Sequence, residues 1–230
     1  MQPELQTRGA YPVAGELSLQ HRVLRNTYLL LALTMVPTVV GAMIGIATGG
    51  IVLQHPFISF FVMLAVVIGL QMGIVRNRDS GVGIALLLAM TFVLGWFLGP
   101  LLSVALSLRN GAQLVGYAAA GTGAIFVAMA AIATTSKRDF SFMGKFLVVG
   151  MLVLLVAIVA NMFLQIPALS LTISSLVIVV FSLFLLHDVS RIVNGGETNY
   201  VIATMGVYLS LWNIFANLLS LLMAFTGERD

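Results

Sequence analysis

The residues able to do chemistry sit in the last third of the chain. An apolar run, Leu169–Leu186, ends on His187 and Asp188, and a polar turn follows. A carboxylate inside the hydrocarbon edge must be paired or take up a proton. Asp188 is therefore a candidate ion or proton site. The opposing reading is an interfacial residue that ends a helix. An imidazole is the side chain that titrates near neutrality, so His187 is a second pH-sensing candidate. In the turn, Gly195 and Gly196 end a helix, Thr198 caps the next one, and Glu197 favours its positive dipole end. Glu197 is the third ionisable candidate. The final apolar segment opens at Tyr200 and carries a stripe of small and amide residues: Gly206, Ser210, Asn213, Asn217 and Ser220. Helical periodicity places them on one face. That face either lines a polar path or supplies hydrogen bonds between helices. It cannot comfortably meet lipid tails, so the last helix is expected at the centre.

These residues need a frame, and composition says which. Of 230 residues, 60% are hydrophobic and 8% charged. A soluble domain has roughly 45–50% and 25%. Several runs approach the ~20 residues needed to cross a bilayer. The fold class is all-α: a polytopic membrane protein whose seven transmembrane helices form a bundle. The expected spans are Thr27–Ala47, Pro56–Val75, Val82–Leu106, Ala112–Thr135, Gly144–Leu164, Leu169–His187 and Tyr200–Phe225. The domain organisation is a flexible cytosolic tail 1–26, one transmembrane domain 27–225 and a short tail 226–230. The tail 1–26 has no signal-peptide pattern and can serve a cytosolic partner as a handle. With the N-terminus inside, Arg8, Arg22, Arg25, Arg76, Arg78, Lys137, Arg138, Lys145 and Arg191 are cytoplasmic, nine of the eleven basic residues. Only Arg109 and Arg229 are outside. The positive-inside rule gives N-in, C-out.

Glycines recur every four residues at Gly41, Gly45 and Gly49, at Gly69 and Gly73, and at Gly95 and Gly99. Such positions let helix backbones approach closely. The chain has no cysteine, which excludes disulfides, thiolate metal sites and thiol nucleophiles. His21, His55 and His187 lie on separate segments without metal-ligand spacing, so no metal site is expected. No nucleophile elbow, phosphate loop or intramembrane-protease pair appears, and the chain reads as no enzyme. A net charge of +3 is too small and dispersed for nucleic acid.

Six stretches carry a family likeness. They are His21–Tyr28 (HRVLRNTY), Gly95–Leu101 (GWFLGPL), Lys137–Gly144 (KRDFSFMG), Ala160–Leu169 (ANMFLQIPAL), Asn194–Tyr200 (NGGETNY) and Val207–Phe215 (VYLSLWNIF). On these the chain resembles the Bax inhibitor-1 family, most closely its bacterial YccA subgroup. The resemblance implies a seven-helix bundle with the last helix central, in the cytoplasmic (inner) membrane. It makes Gly195, Gly196, Glu197, Thr198, Asn199 and Tyr200 a family motif. Calcium-leak members use two aspartates, on the sixth and seventh helices, as a pH-sensitive latch. Asp188 matches the first position, and Ser210 occupies the second. A proton shared between two carboxylates cannot operate here. YccA-like members share that substitution and are known as partners, substrates and modulators of the membrane protease FtsH and its companions HflK and HflC. The implied function is to bind FtsH and restrain its proteolysis. The alternative is a cation or calcium leak with an incomplete latch. No cofactor is implied, calcium entering only as a transported ion.

Overall fold

The computed structural model describes residues 14–136 and 138–226, with side chains from Leu19 on. The described residues are helical apart from short turns. In chain order the helices are α1 (Ala14–Thr48), α2 (Gly50–Gln54), α3 (Pro56–Arg76), α4 (Gly81–Leu106), α5 (Gly111–Thr135), α6 (Gly144–Leu164), α7 (Pro167–Val193) and α8 (Tyr200–Thr226). All but α2 are long and apolar enough to cross a membrane. In hydrocarbon every backbone polar group must be satisfied within the chain, which is why each span is a helix. Pro56 and Pro167 open α3 and α7, where a missing N–H is harmless. Pro100 lies inside α4, which continues through it.

Two boundaries differ by more than two residues from the sequence expectation. α1 starts at Ala14, so residues 14–26, read as tail, are helical. The rest of that tail, 1–13, and residues 227–230 lie outside the described residues. α7 runs past Asp188 to Val193, so Asp188 lies within a helix and does not end it. The apolar run stops at Leu186, but at a membrane edge polar residues continue a helix without penalty.

α8 is the central helix. It packs against α1, α3, α4, α5 and α7. From Tyr200 to Met223 every residue is buried or half-buried. α6 instead packs on α7 and turns its other face outward, with Phe146 75% exposed. In a bilayer that face meets lipid.

The most extensive helix pair is α1 with α4. A Cβ built on Gly41 or Gly45 would strike the backbone of Phe92 or Trp96, and one on Gly95 or Gly99 the backbone of Thr38 or Gly45. The glycines interlock, so the two backbones touch. Gly69 differs from the expected pattern: nothing lies within 4 Å of its Cβ position, so it makes no packing contact. Backbone cannot move aside as a side chain can. Gly45→Leu should therefore cost at least about 3 kcal/mol. Its unfolding temperature in mild detergent should fall by on the order of 5–10 °C, while Gly69→Leu should leave it nearly unchanged. Equal effects would refute the interlock.

Candidate functional site

Asp188 lies about one and a half turns from the end of α7, its side chain 20% exposed. One carboxylate oxygen, Oδ1, sits 3.0 Å from Nδ1 of His187. The other, Oδ2, lies against α8 at Gly206, where a Cβ would come within 2.6 Å of it. The far ring nitrogen of His187, Nε2, lies 2.8 Å from the Cβ position of Gly144, the first residue of α6. Two glycines on two neighbouring helices thus make room for one polar pair. Ser210, one turn beyond Gly206 and about 6 Å along the axis, is 2% exposed. The stretch of α8 facing Asp188 therefore offers a glycine and a hydroxyl where a latch would need a second carboxylate.

Glu197 belongs to a different cluster. Its Oε2 lies 3.4 Å from Nη2 of Arg191, and its Oε1 accepts from the Asn199 N–H at 2.9 Å. Arg191 also donates to the Gly196 carbonyl. The carbonyl of Arg191 in turn accepts the N–H groups of Gly196 and Glu197. Gly195 follows α7 with φ +75°, a left-handed conformation that glycine adopts freely. The motif thus closes α7 and restarts the chain as α8. The cap is not Thr198, which is exposed. It is Asn199, whose Oδ1 accepts from the N–H groups of Val201 and Ile202 at 3.0 and 3.1 Å. Its Nδ2 donates to the Arg78 carbonyl and to Asp79 Oδ1, tying the α3–α4 turn to the start of α8. Both clusters lie at one end of the bundle. The α5–α6 loop docks there too: Ser190 Oγ accepts from the Phe140 N–H at 3.1 Å and from Asn194 at 3.0 Å. In that loop, hydrogen bonds from Ser141 hold the Asp139 carboxyl below its ordinary range. A depressed carboxylate contributes above its ordinary range and is lost only as pH falls below it. The docking of this loop is thus unaffected by titration of Asp139 near neutral pH.

The hydrogen bonds donated by the polar stripe stay within α8. Asn213 donates to the Leu209 carbonyl, Asn217 to that of Asn213, and Ser220 to that of Ala216, all within α8. The bonds between helices come from residues outside the stripe. Tyr208 bonds Thr38 of α1 at 2.8 Å and the Thr91 carbonyl of α4 at 3.3 Å. Trp212 donates to the Leu94 carbonyl of α4 at 3.1 Å, and Thr204 approaches the Thr27 carbonyl of α1 at 3.3 Å. A signal existed in the sequence: a Tyr or Trp buried in a bundle must find a partner for its polar atom.

Comparison with known proteins places this sequence in a family. A family model described as inhibitor of apoptosis-promoting Bax1 matches residues 20–227. An uncharacterized protein of Neisseria meningitidis serogroup A is 40% identical over 213 residues, 91% of this chain and 93% of its own length. A protein of Escherichia coli K12 named "Modulator of FtsH protease YccA" is 40% identical over 202 residues, 88% of this chain and 90% of its own. The same figures hold for "Inner membrane protein YccA" of E. coli O6:H1.

The cap assignment is open to a direct test. Asn199→Ala removes both the cap and the tether to the α3–α4 turn, and should cost about 1–2 kcal/mol. Thr198→Ala, at an exposed position, should change stability by under about 0.5 kcal/mol. Thermal unfolding of the two variants in detergent measures the difference. The reverse order would return the cap to Thr198.

Proposed function

The chain belongs to the Bax inhibitor-1 family, and from that premise we propose that it binds the membrane protease FtsH and restrains its proteolysis. It is a multi-pass inner-membrane protein, so it shares a membrane with such a partner. The carrying observation is the relative named as a modulator of FtsH protease, whose likeness spans 88% of this chain and 90% of its own. The likeness therefore runs through the membrane bundle itself. The role is one of modulation and not of catalysis.

In this reading the N-terminus is cytoplasmic and the C-terminus outside, the orientation that the distribution of basic residues favours. The handle for the protease then lies at the N-terminal end, ahead of the membrane part of α1. HflK and HflC join the same assembly. Ser210 supports this role over a calcium leak, because the site beside Asp188 holds one carboxylate. The leak remains the competing reading, favoured by a half-buried carboxylate at Asp188.

Two experiments decide. Tagged protein taken from membranes in mild detergent should retain FtsH. Deletion of residues 1–20 should lengthen the chain's half-life without preventing its insertion. Failure of the full chain to retain FtsH would remove the reading; equal half-lives would remove the handle. The second experiment uses calcium-loaded liposomes. Wild-type protein should show little pH-dependent leak. Ser210→Asp restores a carboxylate about 6 Å along α8 from Gly206, and like-charge coupling should then make flux pH-dependent. Asp188→Ala on that background should abolish the dependence. Strong pH-gated flux from the wild type, lost in Asp188→Ala, would make the leak the primary function.

A further inference from the structure

A cleft of about 880 Å³ opens between the α6–α7 hairpin and α8, at the end opposite Asp188. Its mouth is the α6–α7 turn, where Asn161 Nδ2 donates to Ser170 Oγ at 2.6 Å and Asn161 Oδ1 accepts from the Ile166 N–H at 3.1 Å. Gln165 lines the mouth, and Ser174 and Asn217 line the deeper part. Counting residues from the helix ends at Pro167 and Thr226, Ser174 lies about 10 Å and Asn217 about 13 Å along the helices. That is a third or more of a hydrocarbon layer ~30 Å thick.

Asn217 gives its amide N–H to its own helix, which leaves its amide oxygen without a donor among the described residues. The hydroxyl of Ser174, inside α7, likewise has no hydrogen-bond partner among them. Polar atoms at this depth cannot be left to lipid tails. A water needs two to four polar partners and a share of about 30 Å³. The cleft has the volume many times over, and Asn161, Gln165, Ser170, Ser174 and Asn217 supply the polar partners. We infer that it is a water-filled vestibule reaching Asn217 and open on the side where the α6–α7 turn lies. Among apolar walls that include Ile158, Met162, Leu171 and Ile173 it offers amides and hydroxyls and no charged side chain, so it takes water and small uncharged solutes with both apolar and hydrogen-bonding parts. It is closed below. Val177 of α7 and Ile214 of α8 are buried at its inner end, and Phe181 packs against the clusters of both. Ser210 lies beyond this barrier. The inference stands apart from the protease reading and does not depend on it.

The chain has no cysteine, so single thiols can be placed without background. A thiol reacts as thiolate, which forms in water and not in hydrocarbon. The probe is a charged, membrane-impermeant maleimide, applied to spheroplasts and separately to inverted vesicles. Ala168→Cys, exposed at the turn, reports which side the mouth faces. Val153→Cys, 63% exposed on the outer face of α6, is the lipid-facing control. Asn217→Cys and Ser174→Cys should label from the same side as Ala168→Cys, within about tenfold of its rate, and Val153→Cys and Ser210→Cys about 100-fold slower. Two cleft variants guard against one failing to fold. Cleft thiols no faster than Val153→Cys, as when an acyl chain fills the space, would overturn the inference. Labelling from the side opposite Ala168→Cys would overturn it too, and fast labelling of Ser210→Cys from the mouth side would overturn the closure.

Discussion

The hydroxyl of Tyr208 lies where three helices meet. It is 2.8 Å from Thr38 Oγ1 on α1 and 3.3 Å from the Thr91 carbonyl on α4, and the residue is 2% exposed. Each hydroxyl has one proton. Thr38 gives its own to the Thr34 carbonyl at 2.7 Å. Tyr208 must then donate to Thr38, with Thr91 sharing the same proton at longer range. Helices in hydrocarbon gain nothing from hiding apolar surface, since lipid is as apolar as they are. Close packing and directed hydrogen bonds decide which faces meet. Tyr208 and Trp212, four residues apart on α8, both reach carbonyls of α4, and this fixes the rotation of the central helix.

That arrangement has a precondition. Thr38 and Thr91 can flank a single hydroxyl only if α1 and α4 lie in backbone contact. The glycines supply the contact, and one of them, Gly95, rests on the backbone of Thr38 itself. A side chain at Gly95 would push Thr38 away from Tyr208. The α1–α4 interlock and the placement of α8 are therefore one device. The same logic holds at Asp188, where Gly206 gives up its side chain so that a carboxylate can lie against the central helix.

Most of the frame was legible in the sequence, because a bilayer imposes its thickness on apolar runs. α6 was placed to the residue, and α3, α4 and α5 to within one. The central position of α8 was legible from the spacing of Gly206, Ser210, Asn213, Asn217 and Ser220. What that spacing could not tell is the hydrogen-bond partner. Periodicity says which face a side chain is on. An Asn amide that folds back to the carbonyl four residues earlier looks the same in sequence as one that reaches across. The cap went to Asn199 and not Thr198 because the Asn side chain serves two elements at once, a three-dimensional fact about the α3–α4 turn. The start of α1 and the end of α7 were missed for a shared reason. Outside the hydrocarbon a helix can continue on polar residues, and hydropathy loses its signal there.

Between Ser210 and Asn217 of α8 lie one stripe residue, Asn213, and a fully buried isoleucine, and this bears on function. From Asn217 to Ser210 is about 10 Å along the helix, and Ile214 between them is fully buried. A cation crossing that gap would shed its water with the Asn213 amide alone of the stripe to replace it, and taking an ion into a low-dielectric interior is among the most expensive steps in protein chemistry. A leak would need α8 and the α6–α7 hairpin to part, and a carboxylate pair is what could drive them apart by repulsion. Asp188 has no such partner on α8. It has His187, whose ring lies alongside it and would attract it when protonated. On the proposed reading, restraint of a protease asks for a surface and a membrane address, and a multi-pass bundle provides both.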